Sequence, residues 1–321
     1  MLANKERSSR CGQSNSTPET PVLSEGEAAD PAFLMIAGSI EVSIAEGAKA
    51  KSVGTVDAAD VLALTGVLFL IMLVRYFLVA GLFYLLVWKR PLRWRKRELN
   101  SDKPSRSAIT REILWSISAT LIFAVPGAFM LEGWNLGWTQ IYLEPARYGW
   151  SYFVLGPLLY MALHDTYFYW THRLLHQRWW FRHAHYVHHQ SLSPSPWASF
   201  SFHPLESVIE ALFIPALVFV LPIHVAGLVF VLTSMTIFGV INHLGYEIYP
   251  RFLVDRSVGR WFISVTHHNW HHRRFNCNYA LYFRLWDIWM GTDRWPNVST
   301  ARASAVAADQ REASPANSMT K

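Results

Sequence analysis

Charge and cysteine are what this chain has least of. Asp, Glu, Lys and Arg make up 16% of its 321 residues, against about 25% in an ordinary soluble domain. With 51% hydrophobic residues and 15 Trp, that deficit reads as a membrane protein. The only two cysteines, Cys11 and Cys277, stand far apart in unlike surroundings. They exclude a disulfide framework, an iron–sulfur motif and a cysteine-rich zinc site. The opening "MLANKERSSRCGQSNSTPETP" is polar and has no apolar run, so no cleavable signal peptide is expected. Histidine is absent from the first 163 residues and from everything after 272.

What is present falls into three parts. Residues 1–55 are expected to be disordered or weakly structured; they are rich in Ser, Glu, Pro and Ala, and the apolar "AFLMIAGSI" (33–41) is too short to span a bilayer. Residues 296–321 read as a disordered tail. Between them, 56–295 carries the apolar runs expected of an all-α membrane bundle with about four to five spanning helices. These runs are 61–88, 113–131, 152–170, 208–222 and 225–241. Lys and Arg crowd into "KRPLRWRKRELNSDKPSRSAITR" (89–111) and follow the third and fifth runs, whereas 132–151 holds only Arg147 and 222–224 none. The asymmetry places the basic loops in the cytoplasm, with a helical cap beneath the spans. Arg75, inside the first run, reads either as a snorkelling side chain or as a functional charge.

All fourteen histidines lie between 164 and 272. Three boxes share one spacing. "HRLLH" gives His172 and His176; "HYVHH" gives His185, His188 and His189; "HNWHH" gives His268, His271 and His272. On a helix, positions i, i+3 and i+4 share a face. Eight imidazoles brought into one apolar pocket repel if protonated and lack partners if neutral, and a metal centre resolves both problems. Eight nitrogens are too many for one ion and suit two. No Glu-x-x-His pair marks a bridged-carboxylate site. Two irons fit the ligand count, and zinc stays open.

The boxes in this order and membrane context resemble the fatty acid hydroxylase/sterol desaturase superfamily, in its C-5 sterol desaturase branch and bacterial relatives. "HDTYFYWTHRLLH", "HYVHHQSLSPSPWASFSFHPLE", "NHLGYE" and "THHNWHHRRFNCNYALYFRLWDIWMGTD" carry the resemblance. It implies an oxygen-dependent di-iron enzyme that hydroxylates or desaturates a membrane lipid such as a sterol, a fatty acyl chain or an ornithine-type polar lipid. It implies the eight histidines above as ligands, with His243 of the "NH-x-G" position as a ninth. It also implies a separate electron carrier, cytochrome b5-like or ferredoxin-like, with its reductase. The chain itself has no flavin motif, and "HPLE" stands in place of a haem-binding His-Pro-Gly-Gly. No nucleic-acid partner is expected. The ending "NSMTK" is not the di-lysine signal of many eukaryotic members, which favours a bacterial inner membrane over the endoplasmic reticulum.

The other candidates carry two readings each. His164 stands on roughly the face of His172, as a ligand or a buried hydrogen-bonded residue. Asp165 reads as a carboxylate bonding a ligand imidazole, or as a solvated helix-end residue. His203 reads as holding a loop near the site or as a metal or supporting residue; His267 and His183 fall off the ligand face by helical phase, in supporting or surface roles, with a metal role still open for His267. His224, in the outer turn, has no metal role. Competing functions are a histidine-rich membrane metal-binding or transport protein and an inactive lipid-binding relative. Transport predicts ligands inside the spans, where they are nearly absent.

Overall fold

A computed structural model of the chain describes residues 33–36, 39–46, 49–89, 97–100, 102–250, 254 and 259–294. The chain divides into two units, 1–55 and 56–321. In the first, within the segment expected to be weakly structured, β1 (Phe33–Ile36), β2 (Ser39–Glu46) and β3 (Lys49–Asp57) form a sheet in that order. β1 and β2 pair antiparallel, with Phe33 opposite Val42. The pattern behind it is legible: Ile40, Val42 and Ile44 alternate with Glu41 and Ser43, the period of a strand.

The second unit is helical. α1 (Ala58–Phe83) continues through a π turn, Tyr84–Trp88, and starts where the Asp57 carboxylate accepts from the Ala59 amide. α2 (Arg106–Asn135) starts at Ser105, whose hydroxyl caps Ala108. α3 (Trp150–Leu175) follows Gly149 at φ 82°. A tight run then gives α4 (Arg178–Trp180), a second π turn (Phe181–His185) and α5 (Tyr186–His189). α6 (Pro204–Leu217) and α7 (Val225–Asn242) complete the bundle, and α8 (Val265–Arg274) and α9 (Leu285–Trp289) lie in the C-terminal part.

Among the described residues, three helices are long and apolar enough to cross a membrane: Ala58–Trp88, Arg106–Asn135 and Val225–Asn242. Four to five are expected from the sequence, and the other two apolar runs fall in α3 and α6. The apolar run of α3 is broken by His164, Asp165, His172 and Arg173. α6 has 14 residues, roughly 21 Å, short of a hydrocarbon core of about 30 Å.

The bundle nevertheless has two well-defined ends. At one, β4 (Ile141–Tyr142) pairs in parallel with β5 (Ile223–His224). That joins the α2–α3 loop to the turn before α7, and Tyr152 and Tyr160 of α3 donate to the carbonyls of Pro222 and Leu221 there. At the other end, Trp88 donates to the Leu244 carbonyl and Arg111 to the Gln190 carbonyl. The histidines and the basic connection around 97–111 share this second end. Arg93, Arg95, Lys96, Arg251 and Arg256 lie outside the described residues, as do residues 1–32 and 295–321.

α7 is the central helix: half of its most apolar stretch is buried, against 11% for α1. Met130, Tyr160, Ile214 and Val231, from four helices, meet in the main core. α1 instead exposes Leu62, Leu70, Val74, Leu78 and Leu85 along its outer side, the surface a lipid-facing helix presents.

Candidate metal centre

α8 poses a physical problem. Its sequence VTHHNWHHRR is polar, yet Val265 to Asn269, His271 and His272 are all buried. A polar helix can be buried only if its side chains find partners. Ser264 and His267 form a reciprocal cap at its start, with the Ser264 amide donating to His267 Nδ1. The remaining imidazoles find other histidines.

Nine histidines converge in two groups. His172, His176, His185, His189 and His271 form one, and His188, His243, His268 and His272 the other; within each, the ligand atoms lie within 4.8 Å of one another. A simple rule governs the division. Every i, i+4 pair (172/176, 185/189, 268/272) stays in one group, while the inner residue of each longer box, His188 or His271, crosses to the other. Adjacent helix positions point about 100° apart, so His188 and His189 serve different centres. The π turn before α5 sets the phase from which both start.

The Nε2 atoms face one another closely. In the first group, His172 and His185 are 3.1 Å apart, His176 and His271 3.2 Å, and His189 and His271 3.1 Å. In the second, His268 lies 3.1 Å and His272 3.2 Å from His243, and His188 lies 3.3 Å from it. The far nitrogens fix the tautomers. Nδ1–H of His172 donates to the Tyr279 carbonyl, that of His271 to the Cys277 carbonyl and that of His243 to the Gly239 carbonyl. His185 donates to the Glu206 carboxylate at 2.8 Å. A carbonyl only accepts, so His172, His271 and His243 carry their proton on Nδ1 and a lone pair on Nε2. Facing lone pairs at 3.1 Å repel unless a cation lies between them. Nitrogens about 2.1 Å from one ion stand roughly 3.0–3.4 Å apart in octahedral or tetrahedral arrangement, the spacing seen here. The residues fit a pair of metal ions.

The protonation state agrees. Burial, reinforced by the neighbouring imidazoles, holds His185, His188, His189, His268, His271 and His272 well below the ordinary value of 6.5. They are neutral at physiological pH, the form that ligates.

The support beneath the first group is a loop that sequence reasoning does not single out. Asp287 accepts from the amides of Tyr279 and Ala280. Asp165 accepts from those of Leu281 and Tyr282. The two carboxylates clamp 277–282 so that its carbonyls meet His172 and His271. Asp165 therefore neither bonds an imidazole nor stands solvated, as the sequence suggests; it is buried and acts on the backbone. The carboxylate that does hold an imidazole is Glu206. Its signal is visible in retrospect: Glu206 and Glu210 share one face of an otherwise apolar helix.

The other histidines separate cleanly from the nine. His164 meets the Tyr282 hydroxyl at 3.1 Å. His203 caps α6 and His224 caps α7. His267 belongs to the α8 cap, and His183, exposed, bonds the Trp179 carbonyl.

A cavity of about 1060 Å³, counting its open side, leads from between the helices to both groups. Met72, Phe123, Met130, Ile214, Leu232 and Met235 form its apolar wall, and His172, His185, His188, His243 and His268 reach it.

Comparison with known proteins agrees with this geometry. The Fatty acid hydroxylase family model matches residues 157–292. The chain is 30% identical over 225 residues to a Delta(7)-sterol 5(6)-desaturase of Gibberella zeae, covering 69% of this chain and 65% of that one, just under two thirds of its length. It is 28% identical over 240 residues to a Delta(7)-sterol 5(6)-desaturase of Aspergillus fumigatus, covering 69% and 72% of the two chains. To a lathosterol oxidase of Rattus norvegicus it is 28% identical over 226 residues, covering 69% and 71%. No solved structure matches.

Proposed function

Since the chain belongs to the fatty acid hydroxylase/sterol desaturase superfamily, we propose that it is a membrane di-iron enzyme that hydroxylates or desaturates a lipid with O2. The observation that carries this is the convergence of nine imidazoles, eight buried and His176 half-buried, in two groups, with the carbonyl-bound Nδ1–H of His172, His243 and His271 leaving their Nε2 lone pairs turned inward. His172, His176, His185, His189 and His271 hold one ion, and His188, His243, His268 and His272 the other. Bound there, iron supplies the redox chemistry that oxidises an unactivated C–H bond, with O2, two electrons and two protons giving the oxidised lipid and water.

The chain's own residues do the rest. Glu206 and the carbonyls of Tyr279, Cys277 and Gly239 hold four rings at a fixed angle with their protons turned away from the centre. Asp165 and Asp287 keep the 277–282 loop from moving under two of them. The apolar cavity wall excludes water and sets one stretch of an alkyl skeleton against the histidines. Two cysteines cannot build an iron–sulfur cluster, so electrons come from a separate carrier, docked at the histidine end. The Lys and Arg distribution supports a cytoplasmic position for that end.

The test is lipid mass spectrometry of cells expressing the wild type or His271→Ala. Wild-type cells should accumulate a lipid heavier by one oxygen atom or lighter by two hydrogens, absent from the variant. Identical lipid profiles with both proteins expressed and folded would contradict the reading.

A further inference from the structure

One polar group in the cavity wall is out of place. Arg75 sits in the middle of the span Ala58–Trp88, about 25 Å of helix from its start and about 20 Å from its end. Arg75 turns inward and lines the cavity that the histidines reach. Its Nε is shut off from solvent and has no hydrogen-bond partner. Among the described residues no ion pair includes it. The two carboxylates on the same wall make no ion pair with it: Glu206 holds His185 through Oε1, its Oε2 unpartnered, and Glu210 accepts from the Thr171 hydroxyl.

Arg75 is half-buried; a guanidinium without a counter-charge inside a span is costly, and a ligand that carries one offsets that cost. We propose that Arg75 is a specificity-determining residue that pairs with an anionic oxygen group, carboxylate or phosphate, on an acidic lipid whose alkyl part runs to the histidines. The guanidinium presents two parallel N–H donors that match either group. Met72, one turn away on the same helix, and Phe123 and Met130 opposite leave apolar surface for the chain attached to it. A neutral sterol offers no such charge, so this cavity is tuned to a different lipid class from those named for the sterol-oxidising relatives. The inference rests on reading the cavity as the lipid site of the metal centre.

The experiment uses the full-length protein in nanodiscs of neutral phosphatidylcholine at about pH 8.5, where a carboxylic acid is ionised. Displacement of a fluorescent alkyl probe is measured with hexadecanoate, hexadecyl phosphate, methyl hexadecanoate and cholesterol, and metal content is measured on the same preparation. At least one of the two anions should bind ~30-fold or more tightly than the methyl ester and the sterol. The tighter anion identifies carboxylate or phosphate as the group held. Arg75→Gln should abolish the preference with metal content unchanged, and Arg75→Lys should retain part of it. Equal binding of ester and anions by the wild type would overturn the proposal, as would a preference that survives in Arg75→Gln. If Arg75→Gln does not fold, the wild-type ratio decides alone. Metal without anion preference would sink this inference and leave the centre standing; anion preference without metal would do the reverse.

Discussion

The two histidine groups are made of one residue type and differ in how firmly they are held. In the five-membered group, His172, His185 and His271 each have Nδ1 tied, to the Tyr279 carbonyl, Glu206 and the Cys277 carbonyl. In the four-membered group His243 is tied to the Gly239 carbonyl, while Nδ1 of His268 and His272 has no hydrogen-bond partner among the described residues. Three of these four line the cavity, against two of the five. The difference teaches a division of labour. The better-anchored group fixes the frame, and the more open one, with fewer protein donors, faces the lipid.

Removing one donor from each group should sharpen that contrast most. His268→Ala leaves three nitrogens in its group, so metal content should fall from about two ions per chain to about one. Turnover should fall by at least ~10³-fold, the scale for losing a residue that the chemistry requires. His176→Ala leaves four, and should keep both ions while turnover drops ~10–100-fold. Elemental analysis beside turnover reads both, and equal metal loss in the two variants would break the comparison.

A smaller effect is expected from the support rather than the ligand. Glu206→Leu removes the carboxylate that orients His185 and should weaken metal binding ~10–100-fold. The loss belongs to the five-membered group alone. Competition with a chelator should therefore show one ion released early and the other held as in the wild type.

The gentlest probe is pH. Burial and the neighbouring imidazoles depress the folded-state values of both groups, as with His185 and His272. Below about 6.5 the unfolded chain binds protons that the folded chain refuses, so stability rises with pH there and is lost as pH falls. Metal-free protein should therefore melt at a lower temperature at pH 5.5 than at pH 7.5, and metal should protect it. In the loaded protein the less anchored group should release its ion first on acidification. Melting curves indifferent to pH would show that the histidines are not buried neutral.

Much of this was legible before any coordinates. The three boxes gave eight of the nine converging residues because i, i+4 spacing is a purely local property, and the resemblance supplied His243. The partition between groups was also latent, since neighbours such as His188 and His189 cannot face one point, but boxes treated as units hide it. Glu206 was obscured because a Glu in the first turn of a helix ordinarily serves the helix itself. Asp165 and Asp287 clamp a loop 116 and 7 or 8 residues away, and only the tertiary fold brings those groups together. The apolar runs at 152–170 and 208–222 fall in α3, which carries polar residues, and in α6, which is short, and neither feature shows when apolar runs alone are counted. The strands before α1 are local in the sequence, where Ile40, Val42 and Ile44 alternate with Glu41 and Ser43, but the composition of the whole segment 1–55 masks them.

The central claim is that two ions sit in two separate all-histidine groups. Iron-loaded protein, purified in mild detergent, can be assayed by elemental analysis together with X-ray absorption at the iron edge. The account predicts about two irons per chain in a shell dominated by imidazole nitrogen, falling to about one in His268→Ala. A wild-type protein that turns over its lipid with no more than one ion per chain, or with a shell dominated by carboxylate or sulfur, would contradict it.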